Sequence, residues 1–215
     1  MTNEIEQLIT DYMLLGRNIG QTDVFEAVEI LSHIGGEELI AFILDNREDL
    51  RPIATIDIPQ FSNEKDVNRV LRVLIDSGLN NLTYEQVGSY LCSVDAKFDA
   101  RRKYGEQHYK FANQLGLTTK GYPLSATEIG TAYYLLESDE KRQELMNRLV
   151  FSIPFVQHAI IKAIDEHYSM PDYLGEYLSP STVLRRRSNM HKIMSWAREI
   201  TEGKYKQLFD NITWY

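Results

Sequence analysis

Cysteine is almost absent. Cys92 is the only one in 215 residues, which excludes an internal disulfide framework and suits a reducing cytoplasm. Flanked by Tyr90, Leu91 and Val94, with no partner histidine suggested nearby, Cys92 reads as a small core residue rather than a nucleophile. Long apolar runs are absent too: nothing approaches the roughly 18 residues of a membrane span, and the acidic opening MTNEIEQLIT lacks the apolar centre of a signal peptide. The expectation is a cytoplasmic protein with no membrane partner. Histidines His33, His108, His158, His167 and His191 are scattered without cysteine partners or i, i+4 spacing, so neither zinc nor any other metal is expected. The chain has no G-x-x-x-x-G-K-[ST] phosphate loop, no G-x-G-x-x-G and no G-x-S-x-G elbow. ATP hydrolysis, dinucleotide chemistry and serine hydrolysis therefore lack support, and no cofactor is expected.

Positive charge is also scarce, with 23 Lys/Arg against 31 Asp/Glu and a net charge of −8. Such a balance argues against general nucleic-acid binding, which any DNA-binding reading must overcome. The charge is unevenly spread. Residues 1–66 hold 14 Asp/Glu against four Lys/Arg, a balance of −10 that leaves +2 for the remainder. Residues 181–206 carry seven Lys/Arg against Glu199 and Glu202, a local +5.

What is present, 43% apolar and 25% charged residues, is the composition of a folded protein of one domain or two small ones. Apolar spacing predicts one or two helices in residues 3–34 and a short one near 37–46. The alternating IATIDI between Pro52 and Pro59 reads as an edge strand, marking a boundary near residue 60. A helix through Val67–Leu74 follows, then one opened by the Thr83/Gln86 capping box, then a long helix over about 99–115 with Arg101, Arg102 and Lys103 in front and Tyr109, Phe111, Ala112 and Leu115 behind. GLTTKGYPL reads as a hairpin around Lys120-Gly121. Helix, helix, turn, basic-fronted helix, hairpin is the winged helix-turn-helix order. It recurs after helices near 126–137 and 139–151, with helices at 155–167 and near 171–178, an arginine-rich helix, and an alternating wing in 204–214.

That arginine-rich helix organises the second unit. Ser179 and Pro180 signal its start, and Met190, Ile193, Met194, Trp196, Ala197 and Ile200 form a core-facing rear half. Its front half, Ser181, Thr182, Arg185, Arg186, Arg187, Ser188 and Asn189, presents cations and hydrogen-bond donors at a helix N-terminus that already favours anions. Guanidinium forks there suit phosphates or guanine edges; a solvated basic turn is the plain alternative. Most of the 13 Tyr and eight Phe sit at core spacing; Tyr104 and Tyr122, beside Lys103 and Lys120, fall on the predicted DNA side.

From about residue 66 onward the segments GLTTKGYPLSATEIG and LSPSTVLRRRSNMHKIMSW make the chain resemble the tandem winged-helix modules attached to bacterial restriction endonucleases and related defence proteins. In this chain only about 60 residues precede the module. The resemblance implies DNA reading by the module, with cutting left to a separate nuclease domain.

The expected fold is mainly α (α+β), with an acidic helical region and one edge strand at 1–60 and winged helices at 61–137 and 138–215. The expected function is sequence-specific double-stranded DNA binding in a restriction or defence system, or as a transcriptional regulator. Arg185, Arg186, Arg187 and Asn189 are the expected groove contacts of the second unit and Arg101, Arg102 and Lys103 those of the first; Ser181, Thr182, Lys120 and Lys204 are expected on phosphates. A homodimer or larger assembly would form through the N-terminal region. The alternative is a protein-interaction subunit of a chromosome-organising or defence complex, which the acidity favours. A third is a metal-dependent nuclease using Asp95-Ala96-Lys97 or Glu202-Gly203-Lys204, triplets in a predicted turn and wing rather than on strands.

Overall fold

A computed structural model describes residues 3–215 apart from 18, 21, 62, 64 and 80. It is mainly helical. The described residues form α1 (Asn3–Met13), α2 (Val24–His33), α3 (Gly36–Asp45), α4 (Lys65–Asp76), α5 (Tyr84–Leu91), α6 (Phe98–Gln114), α7 (Glu128–Tyr134), α8 (Asp139–Leu149), α9 (Pro154–Asp165), α10 (Met170–Gly175) and α11 (Pro180–Glu199). Two short strands, β1 (Tyr168–Ser169) and β2 (Ile212–Thr213), pair in parallel.

Local chemistry explains where the helices begin. Thr83 accepts from the Gln86 amide at 3.2 Å while the Gln86 side chain accepts from the Thr83 amide at 2.8 Å, the reciprocal box expected there. Asp23 caps α2, and Pro180 starts α11 where its missing N–H is harmless. The predicted hairpin is held by the antiparallel bridge Thr118 to Ala126 and by Thr119 N–H donating to the Ser125 carbonyl at 2.9 Å. Tyr109 of α6 ties it down: its hydroxyl donates to the Thr119 carbonyl at 3.0 Å and accepts from the Ser125 amide at 3.1 Å.

Two predicted strands are not strands. Residues 53–58 form an irregular segment with a 3₁₀ turn, Thr55–Asp57, because the buried Asp57 carboxylate gathers the Arg51 guanidinium and the Ala54 amide and folds the segment back on itself. Residues 204–214 do not make a wing. A 3₁₀ run, Gly203–Asn211, buries Leu208 and Phe209, and only Ile212 and Thr213 are extended, against β1.

The N-terminal helices pack onto both later segments. Tyr12 of α1 donates to the Leu115 carbonyl, Gln157 donates to the Met13 carbonyl at 3.1 Å, and the Gly36 amide donates to the Ile200 carbonyl at 2.9 Å. One continuous apolar core takes residues from every one of these helices except α5, and a smaller one lies among α4, α5, α6 and the hairpin.

Within the α4–α6 layer is a buried polar cluster. Asp66, buried on α4, accepts from Arg69 at 2.9 Å and from the Tyr104 hydroxyl at 2.8 Å, and lies 3.5 Å from His108 Nε2. His108 Nδ1 is 2.9 Å from the Tyr104 carbonyl, which can only accept, so Nδ1 carries a proton. Burial pushes the His108 pKa below the usual imidazole value, outweighing the Tyr104 carbonyl and the Asp66 charge, which is shared with Arg69 and Tyr104. Because the unfolded chain then binds the proton first, folding stability declines as pH falls below about 6.5 until the lower folded-state pKa is reached. Thermal midpoints between pH 7.5 and 5.5 should fall for the native protein and fall less for His108→Gln; equal slopes would exclude this assignment.

Candidate nucleic-acid interface

The structure divides the predicted contact residues of α11 between two faces. Ser181, Arg185 and Ser188 are exposed and recur every three or four residues, so they form one outward row. Thr182 is half-buried. Its hydroxyl meets Ser179 Oγ at 3.0 Å and Arg185 Nη2 at 3.3 Å, which orients that guanidinium along the helix. Arg187 is half-buried and lies on the flank of the helix, away from that row.

Arg186 and Asn189 face inward. Arg186 Nη1 donates to the Ile58 carbonyl at 3.2 Å and Asn189 Nδ2 to the Phe61 carbonyl at 2.6 Å. Burial, then the neighbouring Arg185 charge, pushes the Arg186 pKa down to about 10. The pair clamps α11 to the segment preceding α4, with its donors turned to backbone inside the fold. The rear half of α11 buries Met190, Ile193, Met194, Trp196 and Ala197, as the spacing predicts.

The front of α6 shows the same division. Arg102 and Lys103 are exposed, whereas Arg101 turns back, donating to the Val94 carbonyl at 2.8 Å and lying 3.7 Å from Glu85. Tyr104 is also drawn inward, onto Asp66. Lys120 stands exposed at the hairpin tip beside Gly121, whose φ of 77° favours glycine, and the neighbouring Tyr122 is exposed. Lys204 is exposed, its ammonium 4.6 Å from the centre of the Tyr205 ring, on the 3₁₀ run.

Two features escaped the sequence reading. α5 and α6 cross with their backbones in contact: a Cβ on Gly88 would lie 1.8 Å from the Arg101 carbonyl oxygen, and one on Gly105 2.0 Å from that of Tyr84. Only glycine at both positions permits this crossing, and an isolated glycine in a helical pattern was the available signal. The other is the pair Val94 and Phe98, apolar and exposed at the α5–α6 turn.

Asp95 and Lys97 lie at that turn, and Glu202 and Lys204 at the start of the 3₁₀ run, all exposed. Among the described residues no three His, Cys, Asp or Glu side chains converge in a way that could hold a metal ion. Burial pushes the Cys92 thiol pKa up, which disfavours the nucleophilic thiolate. No family model, curated protein or solved structure matches the chain.

The two faces of α11 separate stability from binding. Arg186→Ala leaves a carbonyl of the clamp without its donor and should lower stability by about 1–2 kcal/mol, read by urea denaturation, whereas Arg185→Ala should change stability by less than about 0.5 kcal/mol. The reverse order would mean the inward clamp does not hold α11.

Proposed function

We propose that the protein binds double-stranded DNA sequence-specifically, in a restriction or defence system or as a transcriptional regulator. In this reading α5–α6, followed by the hairpin at Lys120-Gly121, is the helix-turn-helix of a winged helix, and α10–α11 is a second helix-turn-helix with a 3₁₀ run where a wing would stand. The observation that carries it is the outward row of α11. From residue 177 to 198 the chain contains no carboxylate and five Lys/Arg, although the whole protein is acidic. Ser181, Arg185 and Ser188 project from the front half of a helix whose rear half is embedded in the core.

Such a helix is rigid at one end and offers hydroxyls and a guanidinium fork at the other, near its positive dipole end, as a helix entering a major groove requires. The net charge of −8 is met by segregation. The excess of carboxylates lies in residues 1–66, and the field at the contact surface follows local charge within about a Debye length of 8 Å rather than the total. Arg185 and Arg187 of α11 and Arg102 and Lys103 of α6 are then the principal contacts, with Ser181, Ser188 and Lys120 on phosphates. Arg186 and Asn189 serve as positioning residues, because their donors hold the helix in place.

A protein-interaction subunit of a larger chromosome-organising or defence complex is the second reading. One observation favours it: Leu184, 68% exposed, stands beside Arg185, and an apolar side chain there gives phosphates nothing to bind.

If Arg185 reads a base, Arg185→Ala should weaken binding to a selected duplex by about 1–3 kcal/mol, roughly 5- to 150-fold, and relax specificity at one position. If it holds a phosphate, all sequences should weaken alike and the salt slope should fall by about one. Unchanged binding by the Arg185→Ala/Arg187→Ala double variant would remove α11 from the interface.

A further inference from the structure

The turn between α5 and α6 presents two apolar side chains to solvent: Val94 is 94% exposed and Phe98, the first residue of α6, is 63% exposed. Isolated exposed apolar residues are ordinary on soluble proteins. This pair differs in its setting. It lies in a charged segment, with Lys97, Arg102 and Lys103 also exposed. It is held firmly as well: Arg101 donates to the Val94 carbonyl at 2.8 Å, the Ala96 amide to the Ser93 carbonyl at 3.1 Å, and the Gly88–Gly105 crossing seats α5 directly on α6. Phe98 and Arg102 are four residues apart and share one face of the helix.

A phenyl ring one turn from a guanidinium is the complement of a particular major-groove edge. Guanine offers O6 and N7 to the fork, and a C5 methyl on a neighbouring pyrimidine offers the only apolar surface in the groove. The exposed carboxylates of Asp95 and Asp99 flank the pair. They repel phosphates, so the tip is poorly suited to sequence-independent backbone binding and better suited to base edges, where a carboxylate can accept from cytosine N4.

Building on the DNA-binding reading above, we propose that Phe98, with Val94, packs against the C5 methyl of a pyrimidine while Arg102 bonds the adjacent guanine. Thymine and 5-methylcytosine carry the same methyl in the same place.

The test uses the full-length protein and random duplex pools made in three forms: with thymine, with uracil in its place, and with uracil plus 5-methylcytosine replacing cytosine. The uracil pool should be retained roughly fourfold more weakly for each methyl buried. Recovery in the third pool identifies 5-methylcytosine as an acceptable source, and no recovery assigns the contact to thymine. Phe98→Ala should bind the thymine pool about tenfold more weakly and distinguish thymine from uracil less than the native protein does. Equal retention of the thymine and uracil pools by the native protein overturns the methyl contact and leaves DNA binding standing. Full retention by Phe98→Ala likewise overturns it. Retention of no pool overturns the DNA-binding reading, and the methyl contact with it.

Discussion

The Phe61 side chain holds the two candidate contact helices in one body. Its ring lies between Phe111 of α6, with centroids 4.3 Å apart and planes 16° from parallel, and Trp196 of α11, 5.8 Å away at 20°. Its carbonyl accepts from Asn189, and the Ile58 carbonyl three residues earlier accepts from Arg186. Each aromatic pair adds about 0.5–1.5 kcal/mol beyond the area it buries, and truncation of a buried Phe costs about 3–5 kcal/mol. The segment joining the acidic helices to α4 is therefore the strut that sets α6 against α11, and the fronts of both helices are exposed because their rears are pinned on it.

This division of labour resolves the apparent conflict between an acidic protein and an arginine-rich helix. Three consecutive arginines cannot share one face at 100° per residue. The middle one, Arg186, turns in and is partly desolvated, while Arg185 stays in solvent with its fork directed by Thr182. The same logic operates on α6, where Arg101 stiffens the turn through the Val94 carbonyl and leaves Arg102 and Lys103 outward. In each run one arginine serves the fold, and the others leave a rigid, locally cationic tip.

Much of the helical architecture was legible because helix starts and apolar spacing are local properties. Thr83 and Pro180 each mark a boundary through a hydrogen bond they make, or one they have no need to make. The errors arose where side-chain contacts and burial override the alternation of apolar residues. IATIDI alternates as a strand does, yet the Asp57 carboxylate folds it into a turn. The stretch 204–214 also alternates, but Leu208 and Phe209 are buried in a 3₁₀ run rather than on a wing. For the candidate site, composition marked the arginine-bearing helices but not their inward residues, since facing Ile58 or Phe61 depends on chain more than a hundred residues away. Gly88 and Gly105 were visible as letters; that they meet across a helix crossing was not.

The most direct test of DNA recognition through α11 is retention of a random duplex pool by the purified protein at low and at physiological salt, followed by sequencing of the bound fraction. An enriched motif that survives the higher salt is the predicted result, and the spacing of any half-sites within it would report the assembly that binds. No retention at either salt would contradict DNA recognition and make the outward row of α11 a surface for another protein.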